Sequence, residues 1–300
     1  MTRIPTRTAH ETMQQAMETN FAKLTEAQRK LSTGRRLTKV SDGPTDAINA
    51  TRMRNEEKIT RAQVTAANDG LSMLAAQDSA LQSMSTILIR IRELAVAGSS
   101  EIESSNGQQA IASELIGLRD QLVTLANTSY DGRAVFGGFS ASAVQNVGGA
   151  VSWVGDANPI DRRVSPDLTV AVNTDGRKVL GFGAGAPAGA DNLFAVINRT
   201  IGAIQSGNAA GARAELDNLN SRQADLTNAM GSVGGRVNQI ELAASQAEDN
   251  ILALRSSRSI LEDVDLGAAT VDLKDAEAAY QATLAVVARM QNISLLNFLR

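Results

Sequence analysis

The positions of proline constrain this chain more than any other feature. Its five prolines stand at positions 5, 44, 159, 166 and 187, so residues 45–158 and 188–300 contain none. Proline breaks helix interiors because it lacks a backbone N–H and clashes with the preceding turn. Eleven of the 24 glycines fall between Gly132 and Gly189. The sequence therefore predicts two long helical arms on either side of a turn-rich middle.

The composition argues against a catalytic pocket. The chain has no cysteine and one histidine, His10, whereas zinc sites, thiol enzymes and Ser-His-Asp hydrolases depend on these side chains. Aromatic residues make up 3% of the chain, so the apolar mass is aliphatic and suits helices packed on helices. We predict a mainly α protein that is not an enzyme and that needs no metal or cofactor.

The N-terminal arm carries the signals of three helices. The first has a narrow apolar stripe and ends at Gly34, a residue suited to the left-handed turn after a helix. A second helix is expected from Thr45 to about Gly98, with Asp42 or Gly43 near its cap and Pro44 in its first turn. Its apolar seam is predicted to consist of Leu74, Leu81, Met84, Leu88, Ile91 and Ala95. A third begins near Ser104. The apolar stripe of the first helix contains Met13, Met17, Leu24 and Leu31.

The C-terminal arm resumes helical periodicity near residue 190. A long helix is predicted over 209–261, softened by glycines at 231, 234 and 235, and a break follows at 262–265. The chain ends on an apolar segment, although free ends are normally polar and frayed. We therefore expect the last helix to be buried against a partner. Its apolar residues include Val271, Leu273, Tyr280, Leu284, Val287, Leu295, Leu296, Phe298 and Leu299.

The middle of the chain changes period. Short β-type runs occur at 134–136, 151–154 and 168–172, and residues 173–176 predict a hairpin turn before a further strand at 178–180. The glycine-rich segment 181–189 resembles a phosphate cradle only superficially, because Ala186 replaces the third glycine of that motif. A small β-rich module that ends in a loop is the expected structure.

Two charged clusters are candidates for chemistry. Glu262, Asp263 and Asp265 could hold a cation, but acidic residues are also favoured at a helix N-terminus and no calcium-loop spacing surrounds them. The basic loop of Arg35, Arg36 and Lys39 has no neighbouring aromatic residues for base stacking. We interpret the first cluster as a cap and the second as a solvated or subunit-contacting loop, and we expect no nucleic-acid partner.

The two ends of the chain differ in charge. Residues 1–40 carry eight Lys and Arg against three Asp and Glu, while residues 241–300 carry five against nine. Opposite charges favour pairing of the terminal helices. No apolar stretch of about 18 residues is present and the first twenty residues are interrupted by charges, so we expect no membrane insertion and no cleaved signal peptide.

Several motifs resemble the bacterial flagellin superfamily. Residues 31–44 are similar to the turn after the first helix of that family, and residues 68–73 with 91–97 are similar to its long second helix. Segments 125–138, 261–266 and 294–299 resemble the hook-filament junction subgroup more than flagellin proper. The turn motif comprises Leu31, Ser32, Thr33, Gly34, Arg35, Ser41, Asp42 and Pro44.

The resemblance implies a division into three parts. Residues 1–40 and 265–300 would be terminal helices that form an inner tube and are disordered in the free monomer. Residues 41–138 and 190–264 would form a rod of long antiparallel helices with coiled-coil packing. Residues 139–189 would form a small outer module. The expected assembly interface consists of Met13, Met17, Leu24, Leu31, Tyr280, Leu284, Val287, Leu295, Leu296, Phe298 and Leu299.

The resemblance also implies a structural role in the flagellum. The chain would be exported by the flagellar type III system and would connect the hook to the filament outside the cell. Its partners would be the first hook-associated protein, flagellin, copies of itself in a ring and an export chaperone. A filament flagellin is the alternative. A third possibility is an enzyme or carbohydrate-binding module within residues 139–189, which contain one Trp and no His.

Overall fold

The computed structural model describes residues 4–99, 104–183 and 191–298, with side chains over residues 11–289 of these ranges. It confirms a mainly α fold with a few small strands in the middle. The helices are α1 (Ile4–Thr33), α2 (Pro44–Gly98), α3 (Ser105–Ala126), α4 (Gly176–Leu180), α5 (Leu193–Gln205), α6 (Ala209–Ala214), α7 (Leu216–Glu262) and α8 (Leu266–Phe298). Over these residues, no helix is both long enough and apolar enough to cross a membrane.

The chain divides into two compact units. Unit 1 combines both ends of the chain, residues 1–58 and 251–300, and unit 2 is the continuous segment 59–250. The long helices α2 and α7 contribute residues to both units. The division into three parts that the sequence suggests remains a prediction.

Unit 2 has an aliphatic core in which the predicted seam of α2 is buried. The six seam residues are at most 1% exposed, and α3, α5 and α7 supply apolar residues to the same cluster. Side chains that recur three and four residues apart lie on one helix face, which explains why the periodicity identified them. The seam residues are Leu74, Leu81, Met84, Leu88, Ile91 and Ala95.

The middle module contains three two-stranded antiparallel sheets. Strands β1 (Ser129–Tyr130) and β2 (Arg133–Ala134) form the first, β3 (Val144–Val147) and β4 (Ala150–Trp153) the second, and β5 (Asp161–Arg163) and β6 (Thr169–Ala171) the third. The turn between β3 and β4 uses Gly148 and Gly149, both at positive φ. This geometry matches the right-handed twist of the two strands.

One predicted strand is wrong. Residues 176–180 form helix α4, because the Asp175 side chain accepts the Arg177 N–H at 3.1 Å and so caps a helix instead of a hairpin. Gly181, at φ 77°, ends α4 in the left-handed conformation. Asn173, predicted to begin the hairpin turn, instead contacts another segment, because its Oδ1 accepts the Ile160 N–H at 2.7 Å. Most of the adjoining glycine-rich segment lies outside the described residues.

The long helix predicted over 209–261 is interrupted at a different place from the one expected. Glu215 separates α6 from α7, and its carboxylate accepts hydrogen bonds from Arg199 at 2.7 Å and Asn218 at 2.8 Å. The glycines at 231, 234 and 235 do not break α7. Single glycines cost a helix only about 1 kcal/mol each, which the packing of a long helix can offset.

Gly98 provides a test of packing in unit 2. A Cβ at this position would lie 2.7 Å from Ile204 Cδ1. Gly98 is the last residue of α2, so Gly98→Ala gains little helix propensity, and we expect overpacking to cost about 1–3 kcal/mol. The matched control is Gly117→Ala in the interior of α3, where no described atom beyond the backbone of the helix itself and the neighbouring residues lies within 4 Å of the added Cβ. Urea unfolding should show the first variant destabilised and the second stabilised; shifts in the same direction would contradict this account.

Candidate assembly interface

The terminal helices α1 and α8 pack together as an antiparallel pair in unit 1. The rings of Phe21 and Tyr280 lie 5.7 Å apart, and Asn20 Nδ2 donates to Thr283 Oγ1 at 2.7 Å. Further along the pair, the Val264 N–H donates to the Gly34 carbonyl at 3.0 Å. The contacting position rises from 20 to 34 on the N-terminal side as it falls from 283 to 264 on the C-terminal side, so the two helices are antiparallel. They confirm that the two ends of the chain pair with each other.

Opposite charges line a groove between α1 and α8. The groove has a volume of about 620 Å³ and includes alanines of both helices. Lys23, Lys30 and Arg36 stand on the N-terminal side, and Asp265, Asp272 and Asp275 on the C-terminal side. The charge difference between the two ends therefore coincides with their pairing, although exposed charges contribute only modestly in salt.

The predicted interface residues of α1 and α8 differ in how far their side chains are buried. Those of α1, Met13, Met17, Leu24 and Leu31, are half-buried, as are Tyr280 and Val287 of α8. Leu284 is 41% exposed. The side chains of Leu295, Leu296, Phe298 and Leu299 lie outside the described residues. The role of this set in assembly remains a prediction.

The turn after α1 stops the helix by local chemistry. The Ser32 and Thr33 hydroxyls donate to the Arg29 carbonyl at 3.1 and 2.8 Å, so they satisfy an acceptor of the last turn. Gly34 follows at φ 66°, the left-handed conformation predicted for it. Arg35 then forms an isolated antiparallel bridge with Asp263.

The same turn docks onto the junction between α7 and α8. The backbone N–H groups of Arg36 and Leu37 both donate to the Glu262 carbonyl, at 2.7 and 3.3 Å. The Arg36 guanidinium donates to the Leu261 carbonyl and to Asp46, both at 2.8 Å. The basic loop is thus partly a tertiary contact within the chain, while Arg35 and Lys39 are exposed.

Asp42 closes the loop between α1 and α2. Its carboxylate accepts the N–H groups of Lys39 at 2.9 Å and Thr38 at 3.1 Å. These two bonds, the Lys39 bond first, lower the pKa of Asp42 to about 2. Asp42 therefore folds back on its own loop, and the Gly43 carbonyl accepts the Ala47 N–H as α2 begins at Pro44. Ser41 is exposed.

The lowered pKa of Asp42 predicts an acid-sensitive loop. An unfolded aspartate titrates near pH 4, so the contribution of the carboxylate is present above that pH and is lost as pH falls towards 2. Hydrogen exchange in the assembled protein should show the Thr38 and Lys39 amides protected at pH 5 and progressively unprotected towards pH 2. Asp42→Ala should remove the protection at pH 5, whereas Asp167→Ala in unit 2 should not. Equal protection at pH 5 and pH 2 would contradict the assignment.

An alternating ladder of charges links α2 to α7 within unit 1. Glu57 accepts from Arg255 at 2.8 Å and from Arg258 at 2.6 Å, and Arg258 also lies 3.8 Å from Glu262, which pairs with Arg54. Glu57 and Glu262 are 5% and 4% exposed. The hydrogen bond from Arg255, together with the charge of Arg258, lowers the pKa of Glu57. Removing either carboxylate would leave guanidinium groups without their counter-charge.

The sequence did not identify this ladder of charges, because its members on α2 and those on α7 are about 200 positions apart. The three residues of the acidic cluster that the sequence did identify make different contacts. Glu262 belongs to the ladder, Asp263 accepts from Ser259 at 2.5 Å, and Asp265 caps α8 by accepting the Gly267 N–H at 2.8 Å. The cap interpretation is therefore confirmed for Asp265. Within the described ranges, no group of three His, Asp or Glu residues is placed to hold a metal ion.

Among the side chains described in residues 11–58 and 251–289, unit 1 buries few apolar residues and exposes more of them. The buried ones are Ala27, Leu37, Ala50, Ile251 and Ala269. Its exposed large apolar residues are Phe21, Val40, Ile48, Leu252, Ile260, Leu266, Val271, Leu284 and Val286. Among the described side chains of unit 1, the exposed large apolar residues therefore outnumber the buried ones.

Two family models match the chain. The "Bacterial flagellin N-terminal helical region" matches residues 4–141, and the "Bacterial flagellin C-terminal helical region" matches residues 216–299. Together they account for most of the chain and for both of its helical arms. The chain belongs to the bacterial flagellin family and is a structural protein of the flagellum.

Known relatives are similar over nearly their whole length. Flagellar hook-associated protein 3 of Escherichia coli K12 is 26% identical, over 89% of this chain and 90% of that protein. A flagellin of Listeria innocua is 25% identical, over 92% of this chain and 91% of that protein. A putative flagellar hook-associated protein of Vibrio parahaemolyticus has a similar fold, with a TM-score of 0.68 and 21% identity over 74% of this chain and 99% of that structure.

Proposed function

We propose that this protein is a hook-filament junction subunit. It would connect the hook, through the first hook-associated protein, to the flagellin filament. The observation that carries the proposal is the similarity to flagellar hook-associated protein 3 of Escherichia coli, which extends over about nine-tenths of both chains. The apolar surface of unit 1 supports it, since a junction subunit needs surfaces for different neighbours.

We infer that the subunit is exported through the flagellar type III system without a cleaved signal peptide, with the help of an export chaperone. Outside the cell it forms a ring with copies of itself between the first hook-associated protein and flagellin. The antiparallel pairing of α1 and α8 supports this role, because it gathers both ends of the chain in one unit with exposed apolar faces.

The three-part division is part of the same proposal. Residues 1–40 and 265–300 would line the inner tube and become ordered only on assembly, residues 41–138 and 190–264 would form the rod, and residues 139–189 would face outwards. The predicted interface residues of α1 and α8 would then be covered by neighbouring subunits. The members with described side chains, between positions 13 and 287, are half-buried or exposed in the single chain, which supports this assignment.

A filament flagellin is the second candidate. The Listeria innocua flagellin is 25% identical over 92% of this chain, so helical similarity alone does not separate the two roles. The two candidates differ in the number of copies and in their position. A junction subunit forms a short ring, whereas a flagellin continues along the whole filament.

Gold-labelled antibody on intact cells tests the proposal directly. A junction subunit should give one band at the tip of the hook, and labelling along the filament would identify a flagellin instead. Purified protein with filament fragments as seeds gives an independent test, since a flagellin elongates the seeds and a junction subunit does not. A strain that lacks the chain should secrete unpolymerised flagellin, and normal filaments on that strain would refute the junction role.

A further inference from the structure

Unit 2 contains a pocket beside α4 and the middle of α7. It has a volume of about 360 Å³ and is lined in part by Thr174, Lys178, Asn228, Ser232 and Arg236. This volume lies at the lower end of the range for small-molecule sites in proteins.

The pocket is lined by two cations, the exposed Lys178 and the half-buried Arg236. Arg236 donates to the backbone carbonyls of Asn173 at 2.6 Å and Ala171 at 3.2 Å, and to the Ser232 hydroxyl at 3.0 Å. Within the described residues, neither Arg236 nor Lys178 lies in an ion pair with a carboxylate. Burial lowers the pKa of Arg236. A partly desolvated guanidinium without a counter-charge is unusual, because buried charges are normally paired.

The pocket also contains an unsatisfied hydroxyl. Thr174 is 8% exposed, and within the described part of the chain its Oγ1 has no hydrogen-bond partner. Leaving such a group unpaired costs about 1–3 kcal/mol. A bound acceptor would remove this cost, since a hydroxyl can donate one hydrogen bond.

The two aspartates that line the pocket do not neutralise these cations. Asp175 caps α4 and pairs with Arg177 at 3.3 Å, and Asp225 pairs with Arg222 at 3.0 Å. Each carboxylate is therefore engaged by an arginine two or three positions away in the sequence. The charges of Lys178 and Arg236 remain available to a ligand.

We propose that this pocket binds a small polar molecule that bears an anionic group, either a carboxylate or a phosphate. Lys178 and Arg236 supply the positive charge, Thr174 donates a hydrogen bond, and Asn228 and Ser232 provide further polar contacts. The volume exceeds what a bare phosphate needs, which favours an anionic group carried on a molecule the size of a sugar acid. This binding activity is independent of the proposed role at the hook-filament junction.

Isothermal titration calorimetry on the full-length chain tests the proposal. The ligands are inorganic phosphate, D-glucuronate and uncharged D-glucose, at low ionic strength because salt screens exposed charges. We expect binding of at least one anion with a Kd of roughly 1 mM or below, and none for glucose. Tighter binding of glucuronate than of phosphate would indicate a sugar acid, and the reverse a phosphate group. No heat from either anion up to about ten times that concentration, or equal binding of glucose, would overturn the proposal.

Two variants locate the site. Lys178→Met should weaken anion binding about fivefold or more, since it removes one charge pair. Thr174→Val should weaken binding while the unliganded protein keeps or raises its Tm, because the variant also removes an unsatisfied buried group. The matched control is Lys274→Met, an exposed lysine of α8 in unit 1. Unchanged binding by both pocket variants, or equal losses with the control, would place the anion elsewhere and overturn the assignment.

Discussion

Leu37→Asp is expected to leave cells without filaments while the chain itself is still secreted. Leu37 is 9% exposed, and its Cδ2 would lie 3.1 Å from a Cβ placed on Gly43, so it packs inside the turn that docks on the α7–α8 junction. A carboxylate there replaces apolar packing with a charged group at a buried position. We expect unit 1 to lose roughly 3–5 kcal/mol, which exceeds what its thin core can offset.

Val40→Asp is the matched control for Leu37→Asp. Val40 lies in the same loop but is 67% exposed, so the same substitution should change stability by no more than about 0.5 kcal/mol. Electron microscopy should count filaments, and immunoblots of the culture medium should measure secretion. Normal filaments with Leu37→Asp, or an equal loss of stability with both variants in urea unfolding, would show that burial of the turn is not what unit 1 requires.

Phe194→Ala is expected to cause the largest loss of stability in unit 2. The Phe194 side chain is 1% exposed in α5, and its ring lies 6.2 Å from that of Phe182, which in turn lies 5.9 Å from Trp153. Truncation leaves a cavity where three aromatic rings meet. The expected cost is about 3–5 kcal/mol, or a fall in Tm on the order of 10 °C for a unit of this size.

Phe139→Ala is the corresponding control in unit 2. Phe139 is 53% exposed, and the Arg133 guanidinium lies 5.7 Å from its ring centroid. Its loss should therefore cost no more than about 1 kcal/mol. Differential scanning calorimetry of the two variants distinguishes the effect of burying an aromatic ring from the effect of its contact with a cation. Similar decreases in Tm would mean that the aromatic cluster around Phe194 does not anchor the core.

Local signals in the sequence predicted most of the helical architecture. Gly34 ends α1, Pro44 begins α2 and Ser104 caps α3, where its hydroxyl accepts the Gly107 N–H at 3.3 Å. Each of these residues acts on its own segment, so spacing along the chain is sufficient to identify it. The apolar seam of α2 was equally predictable, because periodicity along one helix directly reports the buried face.

The remaining features depend on partners that are distant in sequence. Helix α4 replaces the predicted hairpin because Asn173, a favoured turn residue, is held by Ile160 and Asn158 of another segment. Glu57 has no local feature that distinguishes it from other helical glutamates, and its arginine partners lie 198 and 201 positions away. The interface residues of α1 were recognisable as a stripe, but which face of α8 they meet depends on the register of the pair.

The pairing of α1 with α8 also determines the order in which the two units can form during synthesis. Asn20 and Thr283 are separated by 263 positions, and a chain is synthesised at about 5–20 residues per second, so the second arrives roughly 10–50 s after the first. Unit 2 is continuous and can fold within that interval, whereas unit 1 has to wait for the last residues. During this time the apolar stripe of α1 has no partner within the chain. If both terminal helices become ordered only on assembly, as proposed above, a cell must protect the stripe from its synthesis until that point.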